Sequence, residues 1–180
     1  MTGKSKTLYQ GRIISLDIEQ VELPNGVQCD MEIVRHPGGA AVVAIDEKQR
    51  TCLLNQYRHA CNGWVWELPA GKIDNHEAPL LTAQRELQEE AGRKAAQWQS
   101  LGHIISSPGV FTEVVHCYLA TGLSVCDTGH EAEELIEIHW VPFDEAFEWA
   151  LDNRISDAKT VIGLCRAQAF LSKYERLSNS

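Results

Sequence analysis

Between Gly71 and Gly92 the chain reads GKIDNHEAPLLTAQRELQEEAG, a stretch that sets Glu77, Glu86, Glu89 and Glu90 around one Arg85. Wound as a helix from Ala78 to Ala91 at about 100° per residue, it puts Leu80, Leu87 and Ala91 on one stripe and Glu86, Glu89 and Glu90 on an arc of the far side. Leu80, Leu81 and Leu87 ask for burial, so the segment must pack against a core while carrying crowded like charges. Such carboxylates raise one another's pKa and destabilise the fold unless a cation sits among them. Glu86 and Glu90, at i and i+4, stand one turn apart and can hold the same ion, with Glu89 at i+3. Hard oxygen donors at that density suit Mg²⁺ or Mn²⁺.

The rest of the chain bounds what surrounds this helix. With 180 residues and 44% hydrophobic content it has room for one compact domain or a domain with a small extension. No apolar run approaches the roughly 20 residues of a membrane span, and MTGKSKTLYQ lacks the apolar stretch of a secretory signal, so a cytoplasmic location is expected. A net charge of -9 argues against a general nucleic-acid binder, although a metal ion can reverse the local field for a small phosphorylated ligand. The cysteines Cys29, Cys52, Cys61, Cys117, Cys126 and Cys165 show neither CxxC nor zinc-ligand spacing, and reduced, mostly buried thiols are expected.

Leu8 to Val34 reads as strands, with Asn25 and Gly26 at a hairpin turn where both can accept positive φ. AAVVAI (Ala40 to Ile45) and TCLLNQY (Thr51 to Tyr57) flank the polar turn DEKQR and predict a buried hairpin. WVWELPAGKI runs as a strand into a Pro-Gly break, and VVHCYLATGL and LIEIHWVPF read as later strands. Asp144 is a candidate cap for a helix through EAFEWALDN, and Ser156 or Asp157 for a last helix through AKTVIGLCRAQAFLSKYERL. Strands, a central helix, more strands and then helices predict an α+β architecture, a mixed sheet with helices packed on it.

Taken alone, RELQEE is an ordinary solvated helix face. The wider spacing sets it apart: Gly71, Glu77, Arg85, Glu86, Glu89, Glu90 and Gly92 fit G-x5-E-x7-R-E-U-x-E-E-x-G-U, with U bulky and apolar as at Leu87. Seven fixed positions match by chance in a chain of this size roughly once in a million. On these residues the chain resembles the Nudix hydrolases, which cleave a nucleoside diphosphate linked to another moiety with divalent metal. Arg93 departs from the pattern, standing where a last apolar residue is expected to pack. ELPAGKID, QYR, SPGVFTE with Pro108, EELIEIHWVP and DAKTVI extend the resemblance to the ADP-ribose pyrophosphatase branch over nearly the whole chain.

The resemblance implies a Nudix fold, with a mixed sheet between helices and an N-terminal antiparallel extension over residues 1–38 preceding a hydrolase domain at 39–180. In this branch such N-terminal strands pair across a homodimer. It implies that Glu86 and Glu90, with the backbone carbonyl of Ala70, ligate the metal, and that Glu89 does so directly or through water. Arg85 would pair with a neighbouring carboxylate such as Glu77, Arg58 would meet the diphosphate and Glu113 would line the sugar side. A diphosphate repels nucleophiles, so cations must neutralise it and polarise phosphorus. The catalytic base is expected at Glu134, with Glu89 as the competitor. Glu131 and Glu133 share its polar loop. Trp64, Trp66, Trp98, Trp140 and Trp149 are weighed as adenine-stacking candidates against core or interface roles, and His36 before Pro37 is expected to be structural. The reading is a Mg²⁺-dependent pyrophosphatase, with Mn²⁺ as a substitute, acting on ADP-ribose and yielding AMP and ribose 5-phosphate. GDP-mannose or a broad set of nucleotide sugars is the alternative within the family. A regulatory module that binds nucleotide sugars without turnover is the alternative outside it; such modules often lose box glutamates, and all are present here.

Overall fold

The computed structural model describes residues 4–129 and 134–178. Its first layer is a free-standing antiparallel sheet of β1 (Ser5–Gln10), β2 (Ser15–Glu22) and β3 (Gln28–Arg35) in the order β1-β2-β3. The turn between β2 and β3 closes with Gly26 N–H donating to Leu23 O and Leu23 N–H to Val27 O, each at 2.8 Å. Only Gly26 takes positive φ (82°); Asn25 does not, and its side-chain oxygen instead accepts from Val27 N–H at 3.2 Å. The sheet joins the body beside its last strand, where Val34 N–H donates to Val110 O at 2.7 Å and Thr112 N–H to Val34 O at 3.0 Å. Leu8, Tyr9, Ile13, Ile14, Val27 and Met31 remain exposed on this layer.

The body holds two further sheets. β4 (Gly39–Ala44), β7 (Ala70–Lys72), β8 (Arg93–Ile105) and β9 (Val114–Val125) form one in the order β7-β4-β9-β8, with β4 parallel to β9 and the other pairs antiparallel. β5 (Arg50–Arg58), β6 (Gly63–Glu67) and β10 (Ile136–Pro142) form the other, antiparallel, in the order β10-β5-β6. The predicted hairpin of AAVVAI with TCLLNQY is therefore not formed. The two strands share one isolated bridge, Ile45 to Thr51, and then part into different sheets. Every residue of β4 is buried, which is what a strand covered on both faces requires.

That double burial divides the core. Ala40, Val42 and Ala44 pack with Cys52, Leu54, Ala83, Leu87 and Ala91, so α1 (Pro79–Ala91) covers one side. Val43, Leu53, Leu68 and Leu119 pack with Phe143, Ala146, Leu164 and Ala167, so α2 (Phe143–Leu151) and α3 (Ala158–Ser178) cover the other. The architecture is α+β, with sheets held between helices as expected. β8 has no counterpart in the sequence reading, because RKAAQWQSLGHII shows no apolar run and only loose alternation. Among the described residues, no helix is long and apolar enough to cross a membrane.

The helix ends divide the predictions. Asp157 caps α3, its Oδ2 accepting from Thr160 N–H at 3.0 Å and from the Thr160 hydroxyl at 2.6 Å. Asp144 is not a cap: α2 begins at Phe143, whose N–H donates to Gln49 O at 2.9 Å, and Asp144 lies inside the first turn. Arg93 replaces apolar packing with a stack, its guanidinium 5.1 Å from the Trp140 ring. All six thiols are free, but only Cys52 and Cys117 are buried, while Cys61 is exposed and the others are half-buried.

Gly163 sets how closely α3 approaches the sheet, since a Cβ there would lie 2.7 Å from Leu68 Cδ1 and 3.4 Å from Val43 Cγ2. Gly163→Val is expected to lower stability by about 1–3 kcal/mol through overpacking, read as a lower urea midpoint with an unchanged slope.

Candidate active site

Helix α1 starts with Pro79 at its first turn and ends at Gly92, whose φ of 59° and N–H to Gln88 O at 3.0 Å close it. A side chain at Gly92 would crowd Thr128 Cγ2 at 2.9 Å and Cys126 O at 3.0 Å. The helix buries Leu87 and Ala91, as its stripe predicts, and Ala83 with them, but Leu81 is 53% exposed and Leu80, also of the stripe, is half-buried. The carboxylates go inward instead. Glu86 is 8% and Glu90 3% exposed, so the side of the helix that collects charge is itself covered at these two positions. The reason is a cavity of about 620 Å³ alongside the helix, so that α1 is covered on the Leu87 stripe and on the adjoining Glu86 and Glu90 line as well.

Within this cavity Glu90 Oε2 accepts from Ala70 N–H at 2.8 Å, docking the helix on β7. Arg85 spreads its guanidinium over four acceptors. Nη1 donates to Glu86 Oε1 at 2.6 Å and Glu89 Oε2 at 3.0 Å, and Nη2 to Glu77 Oε1 at 3.0 Å and Lys72 O at 3.1 Å. The expected Arg85–Glu77 pair is present, as part of a fork that ties the connection after β7 to the helix. Gly71 leaves the Glu86 carboxylate its place: a Cβ on it would overlap that carboxylate and displace it.

Burial pushes the Glu90 carboxyl up to about 8, opposed by the Ala70 hydrogen bond and assisted by the charges of Glu86 and Glu134. Burial likewise raises Glu86, against the pull of Arg85. Among the described residues no three carboxylate, imidazole or thiol groups converge on one point; the Arg85 guanidinium stands between Glu86 and Glu89. The donor set nonetheless suits a hard divalent cation. Two buried carboxylates one helical turn apart, both held above their ordinary range, with a glycine leaving Glu86 its space, gain most from a cation that discharges them.

Another part of the cavity wall comes from β5 and the start of α3, with Glu67 of β6 behind it. Arg58 grips Glu67 with two hydrogen bonds, Nε to Oε1 at 2.6 Å and Nη2 to Oε2 at 2.9 Å. Lys159 pairs with the same Glu67 Oε2 and with Asp157 Oδ2 at 3.1 Å. Burial alone would raise Glu67, but the Arg58 hydrogen bond and the Lys159 charge outweigh it and hold the carboxyl below its usual range. Glu113 also lines the cavity, its Oε1 3.5 Å from His36 Nδ1. His36 holds a turn by accepting from Gly38 N–H at 3.1 Å, which fits the structural role expected, yet it lines the cavity too. Burial lowers its pKa, partly offset by Glu113.

Arg58, Ala70, Arg85, Glu86, Glu89, Glu90, Glu113 and Glu134 are thus brought to one cavity. Leu135 O, next to Glu134, accepts from Tyr57 N–H at 3.0 Å. Glu131 and Glu133 lie outside the described residues. None of the five tryptophans lines the space: Trp66 packs on Trp149 and His139, Trp98 on Tyr118, Trp140 under Arg93, and Trp64 is 50% exposed. Sequence reasoning missed Gln56, Lys159, Arg12 and Ile13, which also line it. Gln56 carried a signal, the period of two that puts it on the same side of β5 as Arg58.

A carboxyl raised in the folded state binds more proton there than in the unfolded chain. Stability of the protein in EDTA is therefore expected to fall as pH rises from the ordinary value of 4.5 through about 8, and then to level off. Glu90→Gln removes that loss, so urea midpoints should favour the variant at pH 9 and converge with the parent near pH 4. Gly71→Ala, by displacing Glu86, is expected to weaken Mg²⁺ binding by an order of magnitude or more in calorimetric titration, with the fold retained.

Comparison with known proteins agrees with this geometry. The family model described as the NUDIX domain matches residues 35–162. The chain is 39% identical over 165 residues to a methanol dehydrogenase activator of Bacillus methanolicus, covering 91% of this chain and 89% of the other. With the same coverages it is 36% identical over 165 residues to an ADP-ribose pyrophosphatase of Bacillus subtilis (strain 168). A crystal structure of an ADP compounds hydrolase shares the fold, with a TM-score of 0.83 at 21% identity over 98% of this chain and 96% of that one. With its seven box positions on the loop and helix that line the cavity, and with a family match spanning most of its length, the chain belongs to the NUDIX domain family.

Proposed function

We propose that this chain hydrolyses the diphosphate bond of nucleoside diphosphate sugars, with ADP-ribose the favoured substrate and AMP and ribose 5-phosphate the products. The observation that carries the reading is one cavity that combines the buried carboxylates Glu86 and Glu90 with the cation Arg58. A space of about 620 Å³ has the size of a small-molecule site. The similarity to a relative named ADP-ribose pyrophosphatase supports the choice of sugar nucleotide.

Glu86 and Glu90, with the Ala70 carbonyl and Glu89 beside them, are the residues that would hold Mg²⁺, with Mn²⁺ able to substitute. Bound there, the cation supplies neutralisation of the diphosphate and activation of water near neutral pH. Arg58 binds the diphosphate, Glu113 lines the sugar side, and Arg85 keeps the loop and helix in register. Glu134 takes a proton from water as the water oxygen bonds to phosphorus. The phosphorus bond to the bridging oxygen breaks, and its electron pair stays on the departing phosphate. Glu89 competes for the role of base, but its carboxylate is engaged by Arg85 at 3.0 Å.

Residues 1–38 serve in this reading as an extension that pairs two copies into a homodimer, leaving 39–180 as the hydrolase domain. The exposed Leu8, Tyr9, Val27 and Met31 support it, since a small three-stranded sheet gains stability when a partner covers its exposed apolar side chains. Free thiols suit a reducing cytoplasm.

A panel of nucleoside diphosphate sugars with product identification tests the central claim. ADP-ribose should give AMP and ribose 5-phosphate with the highest kcat/KM, and preferential cleavage of GDP-mannose would reassign the substrate. Glu134→Gln is expected to lower kcat by about 10²-fold to 10⁴-fold with KM and metal affinity little changed. Normal turnover in that variant, beside a Glu89→Gln that is inactive yet binds metal, moves the base to Glu89. Light scattering should return the mass of a dimer, and removal of residues 8–34 should dissociate it and weaken substrate binding.

A further inference from the structure

Five cationic side chains line the cavity among the described residues, and they are committed unequally. Arg85 is shared among Glu77, Glu86 and Glu89, Lys72 pairs with Asp74, and Arg12 is exposed. Arg58 and Lys159 differ from these in converging on a single carboxylate, Glu67, whose side chain is only 4% exposed. Two like charges on one buried anion repel each other, and a second anion placed between them would relieve the repulsion. Asp157 supplies only part of that relief, because its Oδ2 already accepts the Thr160 N–H and hydroxyl that cap α3.

A purely structural account of Lys159 would have it tie α3 to the end of β6. That tie exists without it: Leu68 N–H donates to Thr160 Oγ1 at 2.8 Å inside the core, and the Thr160 hydroxyl donates to Asp157 at 2.6 Å. Lys159 instead points a side chain 20% exposed into the cavity wall beside Arg58. An ammonium has three donors and a guanidinium five, so both keep N–H groups beyond those given to Glu67 and Asp157.

We propose that Lys159 is a diphosphate-binding residue, held beside Arg58 by Glu67 so that the fork of the one and the point charge of the other contact phosphate oxygens of the same substrate. The assignment rests on the nucleotide-sugar hydrolase reading above and extends it to a residue outside the Nudix box. Arginine and lysine complement one another in this task, the first by planar bidentate contact and the second as a compact charge that follows the phosphate.

The test compares the wild-type protein with Lys159→Met, which keeps the length of the side chain and removes its charge, and Lys159→Arg, which restores the charge. Two quantities are measured: KM and kcat for ADP-ribose with Mg²⁺, and the Kd of its non-hydrolysable α,β-methylene analogue by calorimetry. For Lys159→Met we expect KM and analogue Kd to rise together by about 10-fold to 100-fold, the loss of one charge-assisted contact, with kcat changed much less. Lys159→Arg should recover most of the affinity, and the unfolding midpoint without ligand should stay near that of wild type. Should Lys159→Met fail to unfold cooperatively, Lys159→Gln, which can still donate to Glu67, takes its place in both measurements with the same expectation. A folded, uncharged variant whose KM and Kd lie within twofold of wild type overturns the assignment of Lys159 alone. A wild-type protein that neither hydrolyses ADP-ribose nor binds the analogue overturns the function proposed above and this assignment with it.

Discussion

The Arg85 fork is the contact on which the rest of the site depends. Its guanidinium reaches the backbone carbonyl of the last residue of β7, a carboxylate of the connecting loop and two carboxylates of α1, and so fixes the strand end, the loop and the helix as one body. Without that body the Ala70 N–H would not meet Glu90, and Gly71 would not lie against Glu86. The fork also makes the crowding tolerable. Three of the four box glutamates share its charge, so the loop can fold around a cation that is part of the chain before any other arrives. Guanidinium suits the position because it stays protonated and offers donors in fixed directions; lysine would satisfy fewer of these partners at once.

The two-sided burial of β4 then carries the site into the core. Its alternate residues enter two apolar clusters, one beneath α1 and the other beneath α2 and α3. Cavity-lining groups from α1 and from the start of α3 are therefore referenced to the same strand, with Glu86 and Glu90 on one side and Lys159 on the other. Interiors packed at crystal-like density hold such spacings closely, and the Gly163 contact with Leu68 and Val43 shows how little slack is present.

What was legible in the sequence had fixed spacing or local cause. The box glycines, glutamates and Arg85 stood at set intervals, and the Asp157 cap acts only three residues along the chain. Most later strands announced themselves by apolar runs. What was illegible came from pairing across distance. AAVVAI and TCLLNQY look like neighbours because the turn between them is short, yet each finds better coverage in a different sheet. β8 hides because its polar face is solvated and its apolar contacts are spread thinly along 13 residues. The inward turn of Glu86 and Glu90 could not be read from periodicity, since a carboxylate beside a cavity and one beside solvent occupy the same helical angle. Glu67 and Lys159 are 92 residues apart, and only the fold brings them onto one hydrogen-bonded centre.

The described residues on either side of Glu134 are tied to the body. Gly129 N–H donates to Glu89 O at 2.9 Å on α1, and Leu135 O accepts from Tyr57 N–H at 3.0 Å on β5. Glu134 adjoins the contact on β5, so in mechanical terms it sits near a pivot. A group near a pivot sweeps a short arc, and its position is set by the frame to which the pivot is bolted. Here that frame is the strand carrying Gln56 and Arg58. A shift of β5 by even one residue of register would therefore carry Glu134 and Arg58 away together.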